Sequence, residues 1–376
     1  MSSYKKIPLG EVASYINGYA FKPIDWGKSG LPIIRIQNLT DENKEFNYYE
    51  GNFDKKYLIK RGDILISWSA SLGIYEWNKS DAILNQHIFK VIFDKIQVDK
   101  KYYFFVLKKI LREAIKNTHG STMKHITRPQ FEKILFPFYE LEKQKKIAKI
   151  LENISNIIEK KKQKLQEYDE LSKSIFEEEL GDLRTNEKNW KFITLQNICD
   201  VRDGTHDSPK YVAEGYPLIT SKNILEDKID FFNVNYISKL DLEKINKRSK
   251  VDRGDILMPM IGTIGNPLIV DIEKEFAIKN VALLKFDKLK QDNIFIKEIL
   301  SSNYFLSIIK EKNRGGTQKF LSLNDIRNIS IPIVPEEIKA KIIFTSNLVQ
   351  KSKIEIQKSI EETQKLFDSL MEKYFG

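Results

Sequence analysis

Arg61-Gly62-Asp63-Ile64-Leu65 occurs a second time in this chain, as Arg253-Gly254-Asp255-Ile256-Leu257. Five identical residues in the same order are improbable as a coincidence in a chain of 376 residues, so they indicate an internal repeat. Taken alone, Arg-Gly-Asp could suggest an adhesion sequence. Its repetition favours another interpretation, in which positions shared by two copies build a common scaffold.

Further matches follow the motif in the same order along the chain. Leu9-Gly10-Glu11-Val12 pairs with Leu195-Gln196-Asn197-Ile198, and Gly30 to Ile34 pairs with Gly215 to Ile219. A third set of matches joins residues 122–137 to residues 317–332. These collinear matches describe a tandem duplication of about 190 residues.

The first part of each copy combines short apolar runs with longer helical stretches. Gly, Pro and Asn interrupt the apolar runs, which is typical of strands. The predicted strands are Leu31 to Ile36, Asp63 to Ser67, Ile83 to Phe93, Pro217 to Thr220, Asp255 to Met258 and Ala277 to Phe286. Helices are predicted over Tyr102 to Asn117 and Asn293 to Lys312. Each unit is therefore expected to be α/β.

The second part of each copy has apolar residues at helical spacing. The seams are Ile147, Leu151, Ile154, Ile158, Leu165, Tyr168 and Ile175, then Ile338, Ile342, Val349, Ile356, Ile360, Phe367 and Leu370. The seams are interrupted by Lys161, Ser172, Thr345 and Ser352. Polar residues at such positions can fix the register of a coiled coil, but a merely amphipathic helix would show the same pattern. We expect an antiparallel coiled coil with pseudo-twofold symmetry. The predicted divisions are α/β domains at 1–138 and 190–333 and long helices at 139–182 and 334–376.

Charge and composition favour a folded protein with an anionic partner. The net charge is +10, with +8 in residues 1–139 and +3 in residues 191–334, while the helices are nearly neutral. This distribution suits DNA binding, although a generally Lys-rich composition would give part of it. The single Cys199, the polar start and the lack of any 18-residue apolar run predict a cytoplasmic protein without a membrane span.

The sequence lacks the usual signatures of catalysis. No Gly-rich phosphate loop ends in Gly-Lys-Ser/Thr, and Asn266-Pro267-Leu268 does not match the pocket motif of an adenine methyltransferase. The four histidines, His87, His119, His125 and His206, do not have metal-ligand spacing. We therefore predict no catalytic residue, no metal and no cofactor in this chain.

The duplicated motifs together resemble those of a known family. They are the internal repeat, both RGDIL copies, Asp203-Gly204-Thr205-His206-Asp207-Ser208-Pro209, and Gly315-Gly316-Thr317-Gln318-Lys319. In this order, and alternating with long helices, they resemble the specificity subunit of type I restriction-modification enzymes over the whole chain. The resemblance implies two target recognition domains that each read half of a split sequence in double-stranded DNA. It also implies helices that bind two methyltransferase subunits, joined by restriction (translocase) subunits, with S-adenosylmethionine expected on the methyltransferase.

Candidate DNA-contacting residues have side chains that suit base edges or phosphates and lie in equivalent loops of the two copies. In the first copy they are Tyr19, Lys22, Arg35, Gln37, Asn38, Ser67, Ser69, Ser71, Asn85, Gln86, His87, Ser121, Thr122 and Lys124. In the second they are Arg202, Thr205, His206, Ser221, Lys222, Thr263, Lys279, Asn280, Thr317, Gln318 and Lys319. Asn38 and its counterpart Asn223 could equally cap a turn, and His206 could bond local backbone.

Apolar residues outside the seams widen the apolar stripe of the long helices. They are Ile150, Ile157, Leu171, Phe176, Leu348 and Leu366. Such residues could pack on the α/β units or dock a methyltransferase helix, and we predict docking. A rival function is a coiled-coil scaffold whose basic units bind nucleic acid without sequence preference. A second rival, a self-sufficient methyltransferase or nuclease, is disfavoured by the missing motifs.

Overall fold

The computed structural model of the protein describes residues 4–41, 43–69, 71–117, 127–225, 228–261, 264–286, 292–312 and 320–376. Packing divides the chain into one unit formed by Met1–Lys162 with Lys358–Gly376 and a second formed by Gln163–Gln357. Each unit therefore combines one copy of the α/β repeat with a part of each long helix.

The first unit contains the following elements. Its strands are β1 (Lys5–Pro8), β2 (Ser14–Asn17), β3 (Leu31–Ile34), β4 (Asn47–Tyr49), β5 (Leu58–Ile59), β6 (Ile64–Ser67), β7 (Gly73–Glu76), β8 (Ala82–Leu84), β9 (Ile88–Ile92) and β10 (Leu135–Phe138). Its helices are α1 (Leu9–Val12), α2 (Ile36–Thr40), α3 (Lys100–Asn117) and α4 (Arg128–Glu132), and the long α5 (Leu141–Leu180) begins in this unit. Short 3-10 turns lie at Pro23–Asp25 and Lys55–Tyr57.

The second unit largely repeats this order, with differences in one strand and in the helices. Its strands are β11 (Lys191–Thr194), β12 (Asp200–Asp203), β13 (Tyr211–Val212), β14 (Tyr216–Ile219), β15 (Asn235–Ile237), β16 (Ile256–Pro259), β17 (Leu268–Ile269), β18 (Ala277–Ile278), β19 (Val281–Lys285) and β20 (Ser330–Ile333). Its helices are α6 (Lys239–Ser249), α7 (Asp292–Ser301), α8 (Asn303–Lys312), α9 (Leu323–Arg327) and the first part of α10 (Glu336–Phe375), with 3-10 turns at Leu195–Asn197 and Ser221–Asn223.

One four-stranded sheet has the same strand order in both units and the other shares three of its four strands, which confirms the duplication. The first unit has sheets β2-β9-β6-β7 and β4-β3-β8-β5, and the second has β12-β19-β16-β17 and β13-β15-β14-β18. In each unit one pair is parallel, β3 with β8 and β14 with β18, whereas the other pairs are antiparallel. An antiparallel ribbon, β1-β10 or β11-β20, joins the two ends of each α/β region.

Two of the predicted strands are each divided in two. The stretch Ile83 to Phe93 forms β8 and β9, and Ala277 to Phe286 forms β18 and β19. The residues between the two halves carry the chain from one sheet to the other, so a continuous strand was the wrong expectation. The predicted helix over Asn293 to Lys312 is likewise two helices, α7 and α8, separated at Ser302.

The first RGDIL motif is a turn that leads into the buried strand β6. Gly62 has φ +87°, a left-handed conformation that glycine adopts without steric cost. The Asp63 carboxylate accepts the backbone N–H of Lys60 at 2.8 Å and pairs with the Lys90 ammonium of β9 at 2.7 Å. The motif therefore fixes both a turn and a neighbouring strand.

The second RGDIL motif repeats this arrangement before β16. Gly254 has φ +95°, and the Asp255 carboxylate accepts the Asp252 N–H at 2.8 Å. Lys285 of β19 donates to Asp255 at 2.7 Å and to Asp252 at 2.9 Å. Burial opposes the charge of Lys285, but these carboxylates outweigh that effect and raise its pKa. Both copies of the motif are thus scaffold elements, as their repetition predicted.

The long helices pair in antiparallel fashion within each unit, as predicted. In the first unit Tyr139, just before α5, donates to the Tyr374 carbonyl at 3.2 Å, while Lys161 donates to Ser359 and Thr363 of α10 at 2.7 Å each. In the second unit the seam is crossed by the ion pair of Lys353 with Asp169 at 2.6 Å. Lys161, which interrupts the apolar seam, thus has specific polar partners on the opposite helix.

Apolar seam residues of α5 and α10 are largely buried. Those with exposed fractions below one tenth are Ile147, Leu151, Ile154, Ile158, Ile342, Val349, Ile360 and Phe367. No helix within the described part of the chain has the length and apolar character needed to cross a membrane.

We expect Asp255→Asn to lower the free energy of unfolding by about 2 kcal/mol, because it removes the countercharge of a lysine held inside the fold. The loss should exceed that of Asp63→Asn, since the Asp255 side chain is 4% exposed and that of Asp63 is 22% exposed. Urea unfolding and hydrogen exchange of the β16 amides measure the effect. Arg253→Ala, in the same motif, is the control and should change stability by less than about 0.5 kcal/mol. Equal stability of the Asp255→Asn variant and the wild type would contradict this role.

Candidate nucleic-acid interface

Predicted DNA-contacting residues of the first unit meet at the carboxyl ends of the parallel strands β3 and β8. Arg35 and Gln37 follow β3, and Asn85 and Gln86 follow β8. Tyr19, beyond the end of β2, forms an isolated bridge with Asn85 and accepts the Gln86 N–H at 3.0 Å. Since the ends of parallel strands lie at one edge of a sheet, three chain segments present polar side chains together, as in the ligand sites of other open sheets.

Side chains at this edge combine cationic, amide and aromatic groups. The Arg35 guanidinium lies over the Trp26 ring at 5.1 Å. The Gln86 amide and the His87 ring nitrogen are 3.3 Å apart, and His87 is exposed. Planar and hydrogen-bonding groups of this kind can contact base edges.

The second unit has the same arrangement at the ends of β14 and β18. Thr205 bridges Lys279, its N–H donates to Ile278 at 3.0 Å, and its carbonyl accepts the Asn280 N–H at 3.2 Å. Ser221, after β14, donates to the Asn280 carbonyl at 3.4 Å. The fold therefore brings together four predicted residues from three separate segments.

A charged network supports His206 in the second unit. One ring nitrogen of His206 lies 2.8 Å from the buried Asp203 carboxylate, and the other lies 2.9 Å from Asn280 Oδ1. Arg248, at the end of α6, forms an ion pair with Asp203. Arg248 was not among the predicted residues, because α6 replaces a short turn of the first copy and the pairing of Arg248 with Asp203 is a tertiary contact.

A glycine precedes each of these clusters for a steric reason. A Cβ atom at Gly18 would collide with the Asn85 carbonyl, and one at Gly204 would collide with the Ile278 carbonyl. At both places the segment that follows β2 or β12 passes close to the residues where the chain crosses from one sheet to the other. Packing therefore requires glycine there. Gly18 and Gly204 lie nine residues after Leu9 and Leu195, which begin the matched segments, so the same glycine recurs in both copies for this reason.

Two predicted DNA contacts are instead buried scaffold residues. The Asn38 side chain accepts the Arg35 N–H at 3.1 Å and donates to the carbonyls of Lys44 and Glu45. Ser67 is fully buried in β6 and donates to the Ser71 carbonyl. Their polar atoms are satisfied by nearby backbone, so the prediction of DNA contact was wrong for both. Asn223 has the same role as Asn38, donating to Asn233 at 2.9 Å.

Other predicted residues occupy varied positions. Lys22 is exposed just before one 3-10 turn and Lys222 is exposed within another, and Ser69 and Ser71 lie in the hairpin between β6 and β7. Arg202 donates to Asp200 at 2.7 Å and to the Arg248 carbonyl at 2.9 Å, so it holds the end of α6. Outside the described residues lie Ser121, Thr122, Lys124, Thr263, Thr317, Gln318 and Lys319.

Most of the predicted partner-binding residues on the long helices are accessible. Those with exposed fractions of 40–54% are Ile150, Ile157, Leu171, Leu348 and Leu366. Phe176 is 6% exposed and packs in the core of the second unit, so its assignment to a docking face was wrong. Phe344 and Ile354 of α10, at 69% and 60% exposed, are apolar surface residues that the sequence analysis missed.

Comparison with known proteins matches this architecture. Residues 1–167 and 187–366 match the family described as type I restriction modification DNA specificity domain. The chain is 26% identical to the type I restriction enzyme EcoBI specificity subunit of Escherichia coli, over 91% of this chain and 78% of that protein. It is 25% identical to the MjaVIII specificity subunit of Methanocaldococcus jannaschii, over 83% and 80% of the two chains. The crystal structure of the S subunit from M. genitalium has a TM-score of 0.59 at 16% identity, covering 100% of this chain and 96% of the other.

Duplicated α/β units with polar strand-end loops and paired long helices, together with these matches, define a DNA sequence-specificity protein. The chain belongs to the family of type I restriction modification DNA specificity domains. Among the described residues, no group of three or more His, Cys, Asp or Glu is placed to hold a metal ion.

Burial raises the pKa of the Cys199 thiol to about 12, which suppresses the reactive thiolate. We expect the folded chain to react with a thiol reagent at pH 8 at least about a hundredfold more slowly than the urea-unfolded chain. Thiol titration with and without urea measures both rates. A Cys199→Ser variant gives the background, and rapid modification of the folded protein would contradict the buried environment.

Proposed function

We propose that this chain directs a methyltransferase to a split, asymmetric DNA sequence, with one half-site read by each of two target recognition domains, 1–138 and 190–333. The observation that carries the proposal is the cluster of polar side chains at the carboxyl ends of the parallel strands, β3 with β8 and β14 with β18, here called the strand-end cluster. It has the same backbone frame in both units but different side chains. A common frame supplies the same mode of docking on a duplex, while different side chains select different bases.

The two copies differ at positions within the strand-end cluster. Arg35 in the first copy corresponds to Thr220 in the second, and Ala20 corresponds to His206. A guanidinium and an imidazole present different hydrogen-bonding groups from a hydroxyl and a methyl group. The half-sites are therefore proposed to have different sequences.

The proposed DNA contacts fall into base-reading and phosphate-contacting groups. The base-reading group comprises Tyr19, Arg35, Gln37, Asn85, Gln86, His87, Thr205, Ser221 and Asn280, and His206 is proposed to act on DNA through Asn280, its hydrogen-bond partner. Exposed Lys22 and Lys222 flank these groups and suit phosphate contact, which positions the protein without selecting sequence. The predictions for the seven residues outside the described ranges stand unchanged.

The long helices at 139–182 and 334–376 are proposed to set the spacer between half-sites and to dock two methyltransferase subunits. Both α5 and α10 have 40 residues, or about 60 Å at 1.5 Å per residue. Polar pairs such as Lys161 with Ser359 fix the register, which a device of defined length requires. Exposed apolar residues, including Ile157 and Leu366, offer a docking face, and restriction subunits are proposed to join this core.

Mapping of N6-methyladenine in cells that contain the partner methyltransferase tests the function, because the chain is proposed to choose the methylated sites. We expect a split, asymmetric motif when the chain is present and loss of that motif when it is deleted. The rival scaffold predicts binding that depends on salt and not on sequence. Methylation of the same sites without the chain would contradict the proposed function.

Insertion of four helical residues after Lys162 and four after Gln357 should lengthen the spacer of the methylated motif. Four residues add one turn and about 6 Å, which corresponds to about two base pairs. The matched control replaces four exposed residues at the same places without changing length, and it should retain the wild-type spacer. Both half-sites should remain the same. An unchanged spacer in a folded, active insertion variant would contradict the proposed role of the helices.

A further inference from the structure

We propose that Asn280 reads a base in the second half-site and that the buried carboxylate of Asp203 orients it through His206. This inference rests on the proposed function and assigns one specific contact within it. The base it reads presents a hydrogen-bond acceptor in the major groove. Asn280 is the base-contacting residue, whereas Asp203 and His206 are positioning residues.

The backbone of Asn280 is held in a sparsely populated conformation between β18 and β19, where the chain crosses from one sheet to the other. Its φ of +53° lies in the left-handed region, which asparagine tolerates better than most residues. Its N–H donates to the Thr205 carbonyl at 3.2 Å, and its own carbonyl accepts the Ser221 hydroxyl at 3.4 Å. Two neighbouring loops thus hold a strained residue in place, an arrangement that occurs often at functional sites.

The side chain of Asn280 is oriented by a hydrogen-bonded series that ends in the core. His206 Nδ1 lies 2.9 Å from Asn280 Oδ1, and His206 Nε2 lies 2.8 Å from Asp203 Oδ2. Because Asn280 Oδ1 can only accept a hydrogen bond, the His206 nitrogen that faces it donates, and this bond holds the amide in one orientation. Asp203 is only 5% exposed and is further held by its ion pair with Arg248.

The hydrogen bond between His206 and Asn280 determines which end of the Asn280 amide is free to contact DNA. With Oδ1 directed at the His206 ring, the Nδ2 amino group is left as the donor. Guanine, adenine and thymine each present a major-groove acceptor, whereas cytosine presents only its N4 amino donor. Asn280 should therefore exclude cytosine at one position of the contacted strand.

The series is a property of the second domain alone. From the alignment of Gly18 with Gly204, Asn17 corresponds to Asp203 and Ala20 corresponds to His206, so the first copy lacks both positioning residues. The first half-site therefore serves as an internal control within the same molecule. A purely structural role would lower stability or overall methylation without changing one base position.

The test is methylation mapping with the full chain and its methyltransferase, in cells that express Asn280→Asp. This change keeps the side-chain shape and replaces the amino donor with an acceptor, which suits the cytosine amino group. We expect one position of the second half-site to change from excluding cytosine to favouring it, with about a tenfold to hundredfold change in relative methylation. The first half-site should be unchanged.

Three further variants separate reading from folding. Asn280→Gly retains the left-handed backbone and should relax the same position without favouring cytosine. Asp203→Asn should relax that position by about tenfold, and His206→Ala, at an exposed residue, breaks the same series if Asp203→Asn does not fold. Asn189→Asp alters another left-handed asparagine, φ +55°, in the segment before β11 and should leave the motif unchanged.

Two results would overturn the inference while leaving the proposed function intact. One is a wild-type split motif that Asn280→Asp does not alter, and the other is a wild-type motif that requires cytosine at the position sensitive to Asn280. Absence of any chain-dependent motif in the wild type would instead contradict the proposed function itself.

Discussion

The fold depends on a carboxylate and a lysine that join the central strand of each antiparallel sheet to its neighbour. Asp63 and Asp255 close the turns before β6 and β16, and they pair with Lys90 of β9 and Lys285 of β19. Strands β9 and β19 begin directly after the loops that carry Asn85 to His87 and Asn280. The pair therefore also fixes the strand whose start presents the residues that we propose to read DNA. A partly buried charge pair is costly to break, which makes it an effective constraint on register.

The residues proposed to confer specificity and the residues that stabilise the fold occupy different positions along each strand. Buried segments such as Ile64–Ser67 are alike in the two copies, while the loops at strand ends differ in side chain and in their supporting contacts. Arg35 stacks on Trp26 in one copy, and His206 is held by Asp203 in the other. Because the loops contribute little to the cores, their side chains can change without loss of the fold.

Apolar and polar residues on the long helices have different roles in their pairing. Buried seam residues such as Leu151 and Ile342 stabilise pairing, and the polar contacts of Lys161 and Lys353 select one register over others that an apolar seam alone would allow. Exposed Phe344 and Ile354 lie outside that seam and are not needed for it. Exposure distinguishes docking residues from core residues only once the fold is known, as Phe176 demonstrates.

The sequence by itself determined the duplication, the α/β character of the repeats, the two long helices and the loops that contain most of the candidate contacts. These follow from local pattern, because identical motifs and the spacing of apolar residues can be read without knowledge of distant contacts. Three other features are visible only in three dimensions. The stretch Ala277 to Phe286 is interrupted at Asn280, the Asn38 side chain is buried and supports a turn, and Arg248 forms an ion pair with Asp203. Those outcomes depend on pairing between segments far apart in the chain, and an asparagine or arginine has the same local sequence signature whether it supports a turn or faces a ligand.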